Sequence, residues 1–108
     1  TPGRQQFHPS APKVWGKITP PTTVDVSYPA GATVTHPVAG KFVITTGVTF
    51  SNANTLAAFA TVGDSTTTSL VGKVTGVTVT NFTIVVLDSS DALVDPNICL
   101  FYQAFGDI

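Results

Sequence analysis

Alternation of apolar and polar residues along the chain predicts β-strands. The clearest example is the segment 22–28, where the two kinds of residue occupy opposite sides of an extended backbone. Its apolar positions are Val24, Val26 and Tyr28, and its polar positions are Thr23, Asp25 and Ser27. A period of two is typical of a strand with one buried face. We therefore expect this segment to bury its valines and its tyrosine together.

Further strand-like segments follow, separated by Gly, Pro, Asn, Asp and Ser. They are residues 13–18, 32–36, 41–45 with an extension through Val48 and Phe50, 68–75, 77–80, 81–87 and 98–105. Residues 55–62 fit a short helix by their alanines and a strand by their context. Short strands between regularly spaced turns are typical of an all-β, antiparallel β-sandwich. A jelly roll is the form that we expect.

The segments 81–87 and 98–105 are apolar on both faces. An antiparallel strand with one face in water would alternate, so these strands need a cover on each side. The second cover comes from a loop, another domain or another subunit, and we favour another subunit. The alternative within one chain is that residues 55–62 lie over the outer face.

Composition supports this interpretation. The chain of 108 residues is 43% hydrophobic and 10% charged, whereas soluble domains average about 25% charged residues. Glutamate and methionine are absent, while threonine, valine and phenylalanine are abundant, which favours strands. So few charges suit a surface that is partly buried against other subunits.

Charge and hydropathy argue against two classes of function. The net charge is −1, and the basic residues are scattered along the chain: Arg4, Lys13, Lys17, Lys41 and Lys73. Nucleic-acid binding requires a concentrated positive surface, so we do not expect it. No apolar run approaches the roughly 20 residues of a membrane span, so we expect no membrane insertion. The lone Cys99 can form no disulfide within the chain, and we expect it to be a small buried residue.

The prolines of residues 1–12 predict an extended linker. Residues 13–108 then form a single domain. We interpret the linker as the downstream end of a connection from a longer polypeptide.

The loop 88–97 contains Asp88, Asp91 and Asp95, whose oxygens could ligate Ca²⁺. Its spacing lacks the glycine and the acidic positions of an EF-hand. Aspartate and serine are also frequent in turns, where their side chains accept hydrogen bonds from nearby backbone. We favour a turn and expect no metal and no cofactor, with these three residues as the metal alternative.

Candidates for catalysis are few. His8 and His36 are the two histidines, and His8 lies in the linker. No serine occurs in a Gly-x-Ser-x-Gly motif. The aspartates occupy exposed positions or turns, with no apolar wall to raise a pKa as glycosidic-bond hydrolysis requires. We therefore expect no enzymatic activity.

Saccharide binding has more candidates, because aromatic rings beside polar groups can stack on sugar rings. The aromatic candidates are Trp15, Tyr28, Phe59 and Tyr102, and the polar ones are Asn52 and Asn54 in a turn-rich segment. For each aromatic residue we favour a core or interface position over contact with a sugar. The pattern does not choose among the polar loops.

The opening run TPGRQQFHPSAPKVWGKI resembles a junction found in phage and prophage tail proteins, "TPGRQQxHPSAxKxW", which precedes a β-rich C-terminal module. The matching positions are residues 1–6, residues 8–11, Lys13 and Trp15. Residues 24–28, 82–88 and 101–106 match more loosely, and residues 48–62 depart from the pattern. The resemblance provides no catalytic or ligand residue.

The resemblance implies a tail fibre, a tailspike or a related virion appendage, typically trimeric. We therefore expect a terminal module that trimerises, is joined to an upstream fibre segment and binds a host-cell surface receptor, a polysaccharide. The alternatives are a structural module that locks the trimer without a ligand and, less favoured, a polysaccharide depolymerase.

Overall fold

The computed structural model describes residues 13–20, 22–53, 56–65 and 69–107. The linker predicted for residues 1–12 lies outside the described residues.

Eight antiparallel strands form two four-stranded sheets. The strands are β1 (Val14–Thr19), β2 (Thr23–Tyr28), β3 (Thr33–Val38), β4 (Lys41–Thr45), β5 (Ala57–Gly63), β6 (Val71–Val77), β7 (Asn81–Leu87) and β8 (Cys99–Phe105). Sheet A has the order β2-β1-β8-β5, and sheet B has the order β3-β4-β7-β6. The predicted all-β, antiparallel sandwich is confirmed.

Connections between the strands are of two kinds. Three hairpins join neighbours within a sheet, namely β1–β2, β3–β4 and β6–β7. The other connections cross between the sheets, and the first and last strands pair at the centre of sheet A. This order does not confirm the jelly-roll connectivity or the trimer, which stay predictions.

The core lies between the sheets and consists of alternate residues from both. Its buried apolar members are Val14, Ile18, Phe42, Ile44, Phe50, Phe82, Ile84, Val86, Leu100, Tyr102 and Ala104. The even-numbered residues of β7 and β8 face inward in every case. Consequently the odd-numbered residues of both strands face outward, as the period of two requires.

A β-bulge corrects the prediction for β2. Ile18 pairs with Val24 and Lys17 pairs with Val26, so Asp25 is an extra residue between the two pairs. The bulge interrupts the alternation. Val24 packs against the core, whereas Val26 and Tyr28 are exposed. The prediction that these three side chains are buried together is therefore wrong.

The helix considered for residues 55–62 is also wrong, because β5 is a strand along one edge of sheet A. Ala58, Ala60 and Val62 contribute to the core. β5 pairs with β8 edge to edge from Ala57↔Phe105 to Gly63↔Cys99. It therefore lies beside β8 and does not cover its outer face, which excludes that alternative for the described residues.

Three other boundaries differ from the sequence prediction. β3 continues through Pro37, which an edge strand tolerates because one side of its backbone needs no partner. β6 continues through Gly76 and ends at Val77. Phe50 lies in a loop after β4, where its buried side chain joins the core and its N–H donates to Val79 O at 2.8 Å.

The two ends of the sandwich are formed by different segments of the chain. The chain enters β1 at Lys13, whose N–H donates to Ala104 O, and it ends beside Ser51, whose N–H donates to Asp107 O. The loop 88–98, the end of β5 and the start of β6 lie at the opposite end, where the segment around Leu93 and Val94 packs on Gly40 of the β3–β4 turn.

Candidate functional site

The outer side of sheet A is an apolar surface, which we call the aromatic face. It consists of Trp15, Val26, Tyr28, Phe59, Phe101 and Phe105. Phe101 and Phe59 are 38% and 55% exposed. Because β8 is a central strand, Phe101 lies near the middle of the face.

One row of paired residues crosses the whole aromatic face. The row runs from Tyr28 through Trp15 and Gln103 to Phe59. The rings of Trp15 and Tyr28 are nearly parallel, with 16° between their planes and 6.4 Å between their centroids. At the other edge, Phe59 makes an edge-to-face contact with Phe105 at 6.0 Å. Such contacts hold the rings in fixed positions on the sheet.

Charge is sparse on this side of the described strands. Lys17 pairs with Val26 on one side and with Phe101 on the other. Asp25, at the bulge, accepts a hydrogen bond of 2.5 Å from Thr19 Oγ1. The face therefore has one cation near its centre and one anion at its β2 edge.

The outer side of sheet B has a different chemistry, and we call it the threonine face. Its polar members are Thr33, Thr35, Lys41, Thr45, Lys73, Asn81 and Thr83. Val43 and Val85 lie among them and are partly covered. The two outer faces of the sandwich thus differ: one is aromatic, and the other is rich in hydroxyl groups.

The predicted saccharide-binding residues separate into three groups. Trp15 and Tyr28 lie together on the aromatic face. Asn52 is exposed in the loop before β5, and Asn54 lies outside the described residues. Tyr102 is 1% exposed and belongs to the core, where its ring contacts Phe82 edge to face at 5.6 Å. Its assignment as a ligand-binding candidate is corrected.

Burial also affects the ionisation of Tyr102. Loss of solvent around the phenol raises the pKa of Tyr102 above its ordinary value, because the low-polarity interior disfavours the phenolate. Tyr102 is therefore a neutral core residue.

The three aspartates of loop 88–97 do not converge on one point. Asp88 Oδ1 accepts hydrogen bonds from Ser90 N at 2.8 Å and Ala92 N at 3.0 Å, which forms a tight turn. Asp91 has a φ of 60° in that turn, a conformation that aspartate tolerates better than most residues. Among the residues that the structure describes, no group of three or more His, Cys, Asp or Glu side chains is close enough to hold a metal ion.

Asp95 instead ties its loop to sheet B. Its Oδ1 accepts a hydrogen bond of 2.6 Å from Gly40 N, and it lies 3.1 Å from His36 Nε2. His36 Nδ1 is 2.8 Å from Lys41 O, and the imidazole stacks on Phe42 at 4.4 Å. Both ring nitrogens of His36 face oxygen atoms of the protein.

Cys99 lies on the outer side of sheet A, opposite Gly63 in β5. Its thiol is partly exposed and makes no disulfide. The expectation of a buried cysteine is therefore met only in part. A Cβ atom built on Gly63 would lie 2.7 Å from Cys99 Sγ, so the glycine leaves room for the thiol.

The sequence predicts only part of the composition of the two outer faces. The dual apolar character of 98–105 indicated an outer apolar surface, and Phe101 lies on it. The bulge at Asp25 adds Val26 and Tyr28 to that surface, and no residue pattern indicated it. Lys41 and Lys73 are far apart in the sequence, whereas in the fold both pair with Val85 on the threonine face.

Within the described residues, no helix is long and apolar enough to cross a membrane. Comparison of the chain with protein-family models, curated proteins and solved structures gives no significant match.

Proposed function

We propose that this domain is the terminal module of a phage tail fibre, a tailspike or a similar virion appendage. Three copies associate through the aromatic face, and the assembly binds a polysaccharide on the host-cell surface. The observation that carries this proposal is the exposure of Phe59 and Phe101 on the outer side of sheet A, where Phe101 belongs to a central strand and Phe59 to an edge strand.

An aromatic surface of this kind favours contact with protein. Exposed apolar patches mark interaction sites, and the centres of interfaces are enriched in Phe, Tyr and Trp and depleted in charge. The aromatic face is rich in such rings, although one cation, Lys17, lies near its centre. Burial of this face between copies removes the apolar side chains from water and stabilises the assembly.

The partner that we propose is a second and a third copy of the same chain. In a cyclic assembly each contact joins different parts of two identical faces. We propose that Lys17, near the middle of one face, meets Asp25 at the β2 edge of the neighbouring copy. An ion pair between two different positions of the face suits a cyclic contact.

Receptor binding in this proposal depends on repetition. A single β-sandwich surface with a few polar groups binds a sugar weakly. Three linked copies raise the effective concentration of binding sites and hence the avidity. Residues 1–15 resemble a junction of phage tail proteins, and this resemblance supports the placement of the domain at the end of a fibre.

A purely structural role uses the same aromatic face and differs only in the absence of a ligand. The two roles are distinguished by a host-cell binding competition with the 108-residue chain. We expect the chain to bind permissive bacteria saturably and to reduce the adsorption of the phage that carries it. Assembly without binding to any permissive host would support the structural role.

A depolymerase would instead release reducing ends from the host polysaccharide. We expect no release by this chain, because the carboxylates of Asp88 and Asp95 are engaged by backbone N–H groups. Release by purified chain would overturn this part of the proposal.

A further inference from the structure

We propose that the threonine face binds a carboxylate-bearing polysaccharide, such as a chain rich in uronic acids. The inference rests on the proposed function, since it names the chemical class of the receptor and the surface that binds it. Its residues lie on the opposite side of the sandwich from the aromatic face.

The first observation is a pair of lysines in one row. Lys41 and Lys73 both pair with Val85, one on each side of β7. Strands lie about 4.8 Å apart, so the two side chains leave the sheet roughly 10 Å from each other. That separation is comparable with the length of a disaccharide unit, so the two ammonium groups can reach carboxylates on alternate sugars.

The second observation is that this positive charge is not neutralised locally. Among the described residues, neither the Lys41 nor the Lys73 ammonium forms a hydrogen bond or an ion pair. The carboxylates of the loop 88–97 are directed elsewhere: Asp88 accepts hydrogen bonds from its own turn, and Asp95 accepts one from Gly40 N and lies beside His36 Nε2.

The third observation is the hydroxyl array beside the lysines. Thr35 and Thr83 flank Val43 in the next row, and Thr45 lies between Thr33 and Asn81 in the row after that. Hydroxyl and amide groups donate and accept hydrogen bonds, as sugar hydroxyls do. Gly76, opposite Thr83, has no side chain, so nothing from this position covers the threonine hydroxyl.

These features favour an acidic sugar chain over other polyanions. Two lysines without an arginine provide too little charge for nucleic acid, whose binding is dominated by many phosphate contacts. The rows of hydroxyl groups match a ligand that is itself rich in hydroxyl groups. If the aromatic faces meet inside the assembly, the three threonine faces are directed outward and remain available to such a ligand.

The experiment measures binding of the 108-residue chain to immobilised alginate, with dextran as the neutral polysaccharide and poly-glutamate as the non-sugar polyanion. We expect saturable binding to alginate that weakens as salt increases, and little binding to dextran or poly-glutamate. The variants K41Q and K73Q should each weaken alginate binding about two- to fivefold, the range for exposed ion pairs. R4Q, which changes the net charge equally in the predicted linker, should leave alginate binding unchanged.

Three results would overturn the inference. They are equal binding by K41Q, K73Q and R4Q, binding to dextran as strong as to alginate, and binding to poly-glutamate as strong as to alginate. The mass of each variant in solution separates this inference from the proposed assembly. A monomer that binds alginate through Lys41 and Lys73 contradicts the trimer and supports the inference. A trimer that does not bind alginate supports the proposed assembly and contradicts the inference.

Discussion

The ring of Tyr102 lies directly against Gly16 of the neighbouring strand. The two residues are paired between β8 and β1, and a Cβ atom built on Gly16 would lie 2.5 Å from Tyr102 Cζ. A large buried side chain is thus accommodated by the absence of a side chain opposite to it. The contact joins β1 and β8, the two central strands of sheet A, on the side opposite to the aromatic face.

Replacement of Gly16 by alanine should destabilise the domain. The added methyl group overlaps the ring of Tyr102, and overpacking of a core typically costs about 1–3 kcal/mol. Urea unfolding measures the change. The matched control is G76A, because a Cβ atom there would lie 3.8 Å from Thr83 Oγ1, an ordinary contact. Equal effects of the two substitutions would contradict the packing described for Gly16.

Alkaline pH should reveal the burial of Tyr102. Since burial raises the pKa of its phenol, the unfolded chain loses the proton at a lower pH, near 10, than the folded chain does. The associated stability is complete below about pH 10 and is lost as the pH rises through the raised pKa. The free energy of unfolding, measured by urea from pH 8 to 11, should decrease more steeply for the wild type than for Y102F. Parallel pH profiles would contradict the neutral, buried state of Tyr102.

The contact between Asp95 and Gly40 should contribute to stability. Gly40 is buried, and its N–H donates to Asp95 Oδ1 at 2.6 Å. Removal of the carboxylate in D95A leaves that N–H without its partner, which typically costs about 1–3 kcal/mol. D91N in the same loop is the control, because asparagine also tolerates the positive φ of Asp91. Chemical unfolding of both variants checks the prediction, and a D95A variant as stable as D91N would contradict the role of Asp95.

The aromatic face should control assembly without controlling folding. Phe59 is 55% exposed on edge strand β5, and Val71 is 60% exposed on edge strand β6 of the other sheet. F59S should reduce the mass in solution towards that of a single chain, whereas V71S should leave it unchanged. Both variants should keep the wild-type circular dichroism spectrum. Dissociation by V71S and not by F59S would place the contact on sheet B.

The sequence predicts the sandwich because large apolar residues recur at every second position of strands such as β7. Phe82, Ile84 and Val86 follow this period, and all three are buried. Segment 55–62 was ambiguous, since alanine favours a helix in isolation, whereas pairing with β8 selects a strand. Tertiary contacts decide such cases, and the sequence does not reveal them.

The faces were harder to predict, because they depend on register. The bulge at Asp25 moves Val26 to the outer side, and a shift of one residue reverses the face of every later side chain in a strand. The pairing of Lys41 and Lys73 with Val85 joins residues from three strands. Strand order, which the sequence does not specify, determines that row.

The mass of the wild-type chain in solution tests the central claim most directly. Sedimentation equilibrium of the 108-residue chain should give three times the chain mass of 11.2 kDa, because the aromatic faces of three copies cover one another. A mass of 11.2 kDa that persists as the protein concentration increases would contradict the account, since Phe59 and Phe101 would then remain in water.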